Sequence, residues 1–249
     1  MAPLRLVVAL AATLIVASVE PAAAIPFFAH EYGLACQKCH TVIPRLNDFG
    51  QAFQDHGYEL PGGAPKRVFP LAGKFNLAYS SESDPTGLPK AIVDEIEVFI
   101  AGTTSQRTNY FVEQYLVDGG RPGSTRDAWM AQRLSADGAR VPVYLQGGAF
   151  TLPLPVDPET FRESAQHYTV FDQTVGGNPF AFFDPKIGLQ LRAGNGDRGL
   201  NLHLLALQGH DRQSGLPATG TDVMMTVAQT LGPATFSAYR IASGARASA

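Results

Sequence analysis

Alternating hydrophobicity dominates the chain from Leu71 onward and restricts the folds that it can adopt. In one stretch Leu200, Leu202 and Leu204 alternate with more polar neighbours, so an extended strand there has one apolar and one polar face. About nine such stretches occur, near residues 71–80, 92–104, 107–118, 126–134, 142–152, 185–194, 199–209, 221–231 and 234–243. Each is close to the ~9–11 residues with which a tilted strand crosses a membrane. The pattern predicts a mainly β domain, residues 66–249, built as an antiparallel, porin-like barrel.

The same alternation assigns side chains to the two faces of the sheet. We expect one face to be apolar and to contact lipid, and the other to be polar and to face the interior. The expected lipid-facing residues are Leu189, Leu191, Leu200, Leu202 and Leu204, and the expected interior residues are Lys186, Gln190, Arg192, Asn201 and His203.

Two glycine-rich segments, 193–199 and 231–234, lie where hairpin turns are expected. Gly194, Gly196 and Gly199 also match the spacing of the dinucleotide-binding fingerprint, which must open a helix. Because the residues that follow alternate with period two, we interpret this segment as a hairpin turn.

A long insertion, residues 153–184, separates the fifth and sixth predicted strands. Its residues 157–167 have the composition of a short helix, and we expect His167 there to be solvated rather than a ligand. Insertions of this length are usually external loops or loops folded inward.

The first 24 residues have the features of a secretory signal peptide. Arg5 precedes an apolar run from Leu6 to Val19, and three alanines end at Ala24. An uncleaved anchor helix is the alternative, but the run is short for a span of ~20 residues. We therefore predict export and cleavage before Ile25.

Cys36-Gln-Lys-Cys39-His40 is the most specific motif in the chain. Covalent attachment of a c-type haem needs two thiols for the two vinyl groups and an adjacent imidazole for the iron, and this motif has that spacing. A redox cysteine pair would need a βαβ surround, and a zinc site would need further ligands, yet the chain has only these two cysteines. The motif predicts one covalent haem c, with His40 as the proximal iron ligand.

Residues 44–56 have helical spacing and are predicted to cover this haem. Leu46, Phe49 and Phe53 form an apolar face for haem packing, with His56 on the same face and Gly57 as a helix stop. The motif does not identify the sixth iron ligand. The candidates are His56 first, then His30, then Met130, or an open position, whereas Met224 and Met225 are expected to pack in lipid or core.

The charge of the chain argues against nucleic acid as its partner. The chain has 19 Lys and Arg against 22 Asp and Glu, a net charge of −3, so no basic excess exists to neutralise nucleic-acid phosphates.

Residues 25–60, which hold the cysteine motif and the predicted helix, form a first unit. After it, Pro61-Gly-Gly-Ala-Pro65 has the composition of a linker. The predicted organisation is therefore a signal peptide (1–24), a small α-helical haem c segment with its linker (25–65), and the β domain.

Residues 25–60 resemble the small N-terminal segment that carries one haem in the outer-membrane cytochrome–porin fusions. This family includes the fused iron-oxidising cytochromes. The resemblance is carried by Ile25–His40, Pro44–Gly50, Phe53 and His56–Tyr58, and it is looser through the strands. It implies electron transfer at or across the outer membrane, with Cys36, Cys39 and His40 in the haem roles. The implied partners are membrane lipid and a redox donor or acceptor, such as a periplasmic cytochrome or an extracellular metal.

Two features depart from that family. Bacterial barrels normally have an even number of strands, whereas about nine are predicted here, and the chain ends without the usual terminal aromatic residue. These features suggest a shortened or incomplete barrel. Two alternatives stay open, a periplasmic cytochrome with a β-sandwich or ligand-binding domain and a haem enzyme, although a non-enzymatic electron carrier is favoured.

Overall fold

A computed structural model describes most of the chain outside its N-terminal region. The described residues are 26–60, 69–83, 89–154, 157, 160, 161, 163, 181–195, 199–210, 217–232 and 234–244. The predicted signal peptide, the linker 61–65, His167 and most of the predicted helix 157–167 lie outside these residues.

The N-terminal segment, residues 26–60, contains short elements only. They are helix α1 (Pro26–Tyr32), a turn of 3₁₀ helix (Cys36–Lys38), strands β1 (His40–Val42) and β2 (Arg45–Leu46), and helix α2 (Asp48–Asp55). The prediction that the second helix begins at Pro44 is wrong, because Arg45 and Leu46 pair with the strand before them and Asn47 caps the helix. Among the described residues, no helix has the length and apolar character needed to span a membrane.

The rest of the described chain is one large antiparallel sheet. Its strands are β3 (Leu71–Ser83), β4 (Pro89–Ser105), β5 (Thr108–Asp118), β6 (Arg121–Pro122), β7 (Thr125–Arg133), β8 (Val143–Phe150), β9 (Lys186–Gly194), β10 (Gly199–His210), β11 (Pro217–Leu231) and β12 (Ala234–Ala242). All nine predicted strands are present, and the two-residue β6 pairs with β5 beside the main path. Residues after Gly199 form a strand paired with β9, so the hairpin interpretation of the glycine-rich segment is confirmed.

The sheet is an open meander in the order β12-β11-β10-β9-β8-β7-β5-β4-β3. Nine consecutive antiparallel strands leave the first and the last running in the same direction. Those two strands therefore cannot form the antiparallel pair that closes an up-and-down barrel. Within the described residues, β3 and β12 are the two edges of one large antiparallel sheet, and no closed barrel is found.

The two faces of the sheet differ in the way that the alternation predicts. On the outer face, neighbouring strands place Leu145, Leu191, Leu204 and Met225 in one row, and Leu204 is 40% exposed and Met225 44% exposed. On the inner face, Arg192 and His203 pair directly and are both buried. The outer face thus exposes rows of apolar side chains, and the inner face covers polar side chains together with apolar ones.

The core lies between the inner face and the N-terminal segment. Phe28 and Phe53 of the segment are buried with Phe111, Trp129 and other inner-face side chains in one apolar cluster. Met224 is fully buried on this side, while Met225 points outward. The N-terminal segment therefore covers the inner face of the sheet, with both its apolar and its polar side chains.

Candidate functional site

The Cys-x-x-Cys-His motif forms a tight turn. The Cys39 amide donates to the Cys36 carbonyl over 3.1 Å, and residues three apart in a 3₁₀ turn lie one above the other. Both thiols are free and half-buried, and burial raises the pKa of Cys39. A redox cysteine pair works instead through a thiol of lowered pKa, so the raised pKa of Cys39 does not favour that role.

His40 is oriented by a backbone carbonyl. Its Nδ1 lies 3.1 Å from the Pro44 oxygen. Because a carbonyl only accepts, Nδ1 carries the proton and Nε2 holds the lone pair. Burial lowers the pKa of His40, so the ring is neutral at pH 7. Metal-binding histidines are oriented in the same way, by a hydrogen bond from one ring nitrogen to a second group.

Asn47 joins this motif to helix α2. Its side-chain oxygen accepts from the Gly50 amide over 2.9 Å, which caps the helix. Its side-chain amide donates to the carbonyls of Gln37 and Lys38, and its backbone amide donates to Cys39. Four hydrogen bonds from one residue thus fix the motif on the first turn of α2.

Gly50 permits the close approach of the motif to the helix. A Cβ atom added at Gly50 would lie 2.1 Å from the Cys39 carbonyl oxygen.

We expect Gly50→Ala to lower the free energy of unfolding of the protein by about 1–3 kcal/mol, the usual cost of an extra methyl group in a well-packed core. We also expect it to lower the amount of haem per chain. Haem-stained gels and urea denaturation measure both effects. The neighbouring change Gln51→Ala is the control, and equal behaviour of the two variants would contradict this packing.

Helix α2 ends in a Schellman motif that turns the chain onto the sheet. The Tyr58 amide donates to the Phe53 carbonyl and the Gly57 amide to that of Gln54, with φ of +64° at Gly57. The predicted helix stop at Gly57 is confirmed. The turn places the Tyr58 ring against Trp129, with centroids 5.8 Å apart and planes 13° apart.

Polar contacts hold the end of α2 on the inner face. Asn109 donates to the Gly57 carbonyl over 2.8 Å, and Arg192 donates to the Gln54 carbonyl over 3.1 Å. Glu59 accepts from Tyr144 and lies 3.1 Å from Arg133 Nε. Four inner-face residues from different strands therefore fix the position of the segment.

The three residues predicted to pack against haem have different surroundings. Phe53 is buried and packs against Phe28, Tyr32 and Tyr58. Leu46 and Phe49 are only half-buried, and Lys38 Nζ lies 4.4 Å from the Phe49 ring centre. Leu46 and Phe49 thus border the motif, while Phe53 connects the segment to the core.

The candidates for the sixth iron ligand are dispersed. His56 caps the far end of α2, and its ring stacks on Tyr144 with centroids 6.0 Å apart. His30 is exposed in the last turn of α1. Met130, the lowest-ranked candidate, is exposed on the outer face, on the side of the sheet away from the N-terminal segment.

Part of the long insertion contacts the motif hairpin. The Leu46 amide donates to the Thr160 carbonyl over 3.2 Å, and Arg45 forms an ion pair with Glu163. The Arg45 guanidinium also lies 4.9 Å from the Phe161 ring centre. The described residues of this insertion near Thr160 therefore pack beside the motif hairpin.

The N-terminal segment contains two buried carboxyl groups that the sequence did not predict. Glu31 is 4% exposed, and burial raises its pKa to about 7. Burial likewise raises the pKa of Asp55 to about 6, although Arg192 opposes the shift. Asn47 could have been found by the N-cap rule, but no local pattern distinguishes Glu31 or Asp55 from surface acids.

No group of three or more His, Cys, Asp or Glu side chains able to hold a metal ion occurs within the described ranges. Comparison of the chain with protein-family models, with curated proteins and with solved structures gave no match.

Proposed function

We propose that this chain carries one covalent haem c on its N-terminal segment and transfers electrons at the outer membrane, as the cytochrome–porin fusions that it resembles do. The arrangement at His40 supports this most directly. Its Nδ1–H is held by Pro44, which leaves the lone pair of the neutral ring on Nε2, and the two thiols precede it in one turn. These residues fit the demands of a c-type haem.

The chain's own residues hold and orient the group. Cys36 and Cys39 would form the thioether bonds, and His40 Nε2 would bind the iron. Asn47 and Gly50 keep the motif on helix α2, and Leu46 and Phe49 border it with apolar surface. A bound haem c supplies one-electron redox chemistry. We propose an electron carrier rather than an enzyme.

The apolar outer face of the sheet supports a membrane location. Its exposed apolar rows suit lipid, and the polar side chains of the covered inner face suit a protein interior or lumen. An edge strand in hydrocarbon cannot leave its amide and carbonyl groups unpaired. The proposal therefore requires that β3 and β12 each pair with a further strand in the membrane.

Fractionation and redox spectroscopy test this function together. Membranes from expressing cells are washed with carbonate, and the protein is then extracted with detergent. We expect a reduced-minus-oxidised haem c spectrum in the detergent extract. Recovery in the periplasmic wash would indicate the alternative, a periplasmic cytochrome, and an extract without this spectrum would contradict electron transfer through haem.

The sixth ligand has a separate test. We expect His56→Ala to convert a low-spin ferric spectrum to high-spin, whereas His30→Ala leaves the spectrum low-spin. Electronic absorption of the purified protein distinguishes the two states. A thioether charge-transfer band in the far red of the wild-type spectrum would contradict both histidines.

A further inference from the structure

A small polar cavity lies on the inner face of the sheet, beside the end of helix α2. It measures about 10 Å³, which is room for about one water molecule and excludes a ligand of several heavy atoms. Polar side chains form much of its lining, namely those of Asp55, Tyr144, Arg192, Asn201 and His203. Size and lining together restrict the occupant to one small polar molecule or one ion.

Arg192 is the charged residue of this lining whose donors are only partly used. It is 8% exposed, and its Nη1 donates to the Gln54 carbonyl over 3.1 Å. Within the part of the chain that the structure describes, its Nε and Nη2 have no hydrogen-bond partner. An unpaired donor in a protein interior is costly, and more so on a charged group, so these N–H groups require an acceptor.

Asp55, the last residue of α2, borders the same cavity and does not bond to those donors. Its Oδ1 accepts a long hydrogen bond from Gln51 Nε2 over 3.4 Å. A carboxyl group has about four acceptor positions, so Asp55 can accept further hydrogen bonds. The charge of Arg192 acts on Asp55 and lowers its pKa, against the effect of burial. The two side chains therefore attract each other across the cavity without direct contact.

His203 adds a second donor residue to the lining. Gln190 Nε2 lies 2.6 Å from His203 Nδ1 and can only donate, so the ring accepts a hydrogen bond at Nδ1. Burial, and then the charge of Arg192, lower the pKa of His203 to about 3, so the ring is neutral at pH 7 and carries its proton on Nε2. Two donor residues and one carboxyl group thus border the same small space.

From this arrangement we infer that the cavity binds one water molecule, which accepts a hydrogen bond from Arg192 and donates one to Asp55. An anion would lie beside the Asp55 carboxyl group and a cation beside the Arg192 guanidinium, so neither suits the space. A water both donates and accepts, and buried waters typically make about three hydrogen bonds to polar groups that otherwise have no partner. His203 Nε2 donates the third.

The water joins the sheet to the end of the N-terminal segment. Bridging waters stabilise a contact nearly as well as a direct hydrogen bond does. The bridge from Arg192 through water to Asp55 thus adds to the direct contact of Arg192 with the Gln54 carbonyl. Because no step of this inference involves haem, it does not depend on the function proposed above.

A crystal structure of the full-length protein tests the inference directly. We expect one peak of electron density in the cavity, about 2.7–3.2 Å from an Arg192 nitrogen and from an Asp55 oxygen. A second crystal, soaked in sodium bromide, distinguishes water from an anion because bromide scatters X-rays anomalously, and we expect no anomalous peak there. An empty cavity, a direct ion pair between Arg192 and Asp55, or a bromide peak would overturn the inference.

Two variants test whether Arg192 holds the water. Arg192→Leu removes both unpaired donors, and we expect the density peak to disappear. Arg133→Leu is the matched control, because Arg133 is an inner-face arginine that contacts the segment through Glu59 and does not line the cavity, so the peak should remain. A peak that persists in Arg192→Leu would overturn the assignment of Arg192 as its donor. If Arg192→Leu does not fold, the wild-type crystals with and without bromide decide the question.

Discussion

A chain carrying both Cys36→Ala and Cys39→Ala is expected to lose its band on a haem-stained denaturing gel, and each single change is expected to weaken it severely. In the proposed attachment each thiol forms one of the two bonds that survive denaturation, and the chain contains no other cysteine. The structure presents both thiols free and half-buried in one turn. The measurement is staining intensity per amount of protein.

Two variants within the motif serve as controls. Lys38→Ala changes one of the two residues between the cysteines and should retain full staining, because the Lys38 side chain lies over the Phe49 ring and carries no thiol. His40→Ala should retain some attached haem with an altered spectrum, because it removes the proposed iron ligand and leaves the thiols. Undiminished staining of the double cysteine variant would contradict covalent attachment at this motif.

Replacing Leu204 with arginine is expected to lower the free energy of unfolding by about 2–4 kcal/mol in phospholipid vesicles, the cost near a bilayer midplane. Leu204 lies within an outer row of apolar side chains, between Leu191 and Met225. In a water-soluble sheet the same change at a residue 40% exposed would stay within about 0.5 kcal/mol. The size of this effect therefore separates a membrane sheet from a soluble one. Urea unfolding of the reconstituted protein measures it.

Gln208→Arg is the matched control, because Gln208 lies on the same strand and the same face as Leu204 and is already exposed and polar. We expect Gln208→Arg to lower the free energy of unfolding by about 0–1 kcal/mol, the cost of an arginine near the membrane interface. An effect of equal size at Leu204 and Gln208 would contradict lipid contact at this face.

Features that repeat along the chain could be predicted from the sequence. Strand positions and faces follow from period-two alternation, since a one-residue shift would move every side chain to the other face. His203 and Leu204 accordingly lie on the predicted sides of β10. Gly57 could be assigned as a helix stop because its left-handed conformation is a local demand.

Features that depend on contacts distant in sequence could not be predicted. Asn47 replaces Pro44 at the start of α2, because the residues between them pair with His40 and Val42 to form a small hairpin. The contact between Arg192 and Gln54 joins residues 138 positions apart. Met130 could not be assigned to a face, because only the register of β7 with its neighbours shows that it points away from the N-terminal segment.

The most direct test of the proposed function is a pyridine-haemochrome spectrum of the purified full-length protein, with protein concentration measured in the same sample. We predict the spectrum of a haem with both vinyl groups converted to thioethers, at one haem per chain. A purified chain without haem, from cells in which other c-type cytochromes mature normally, would contradict it.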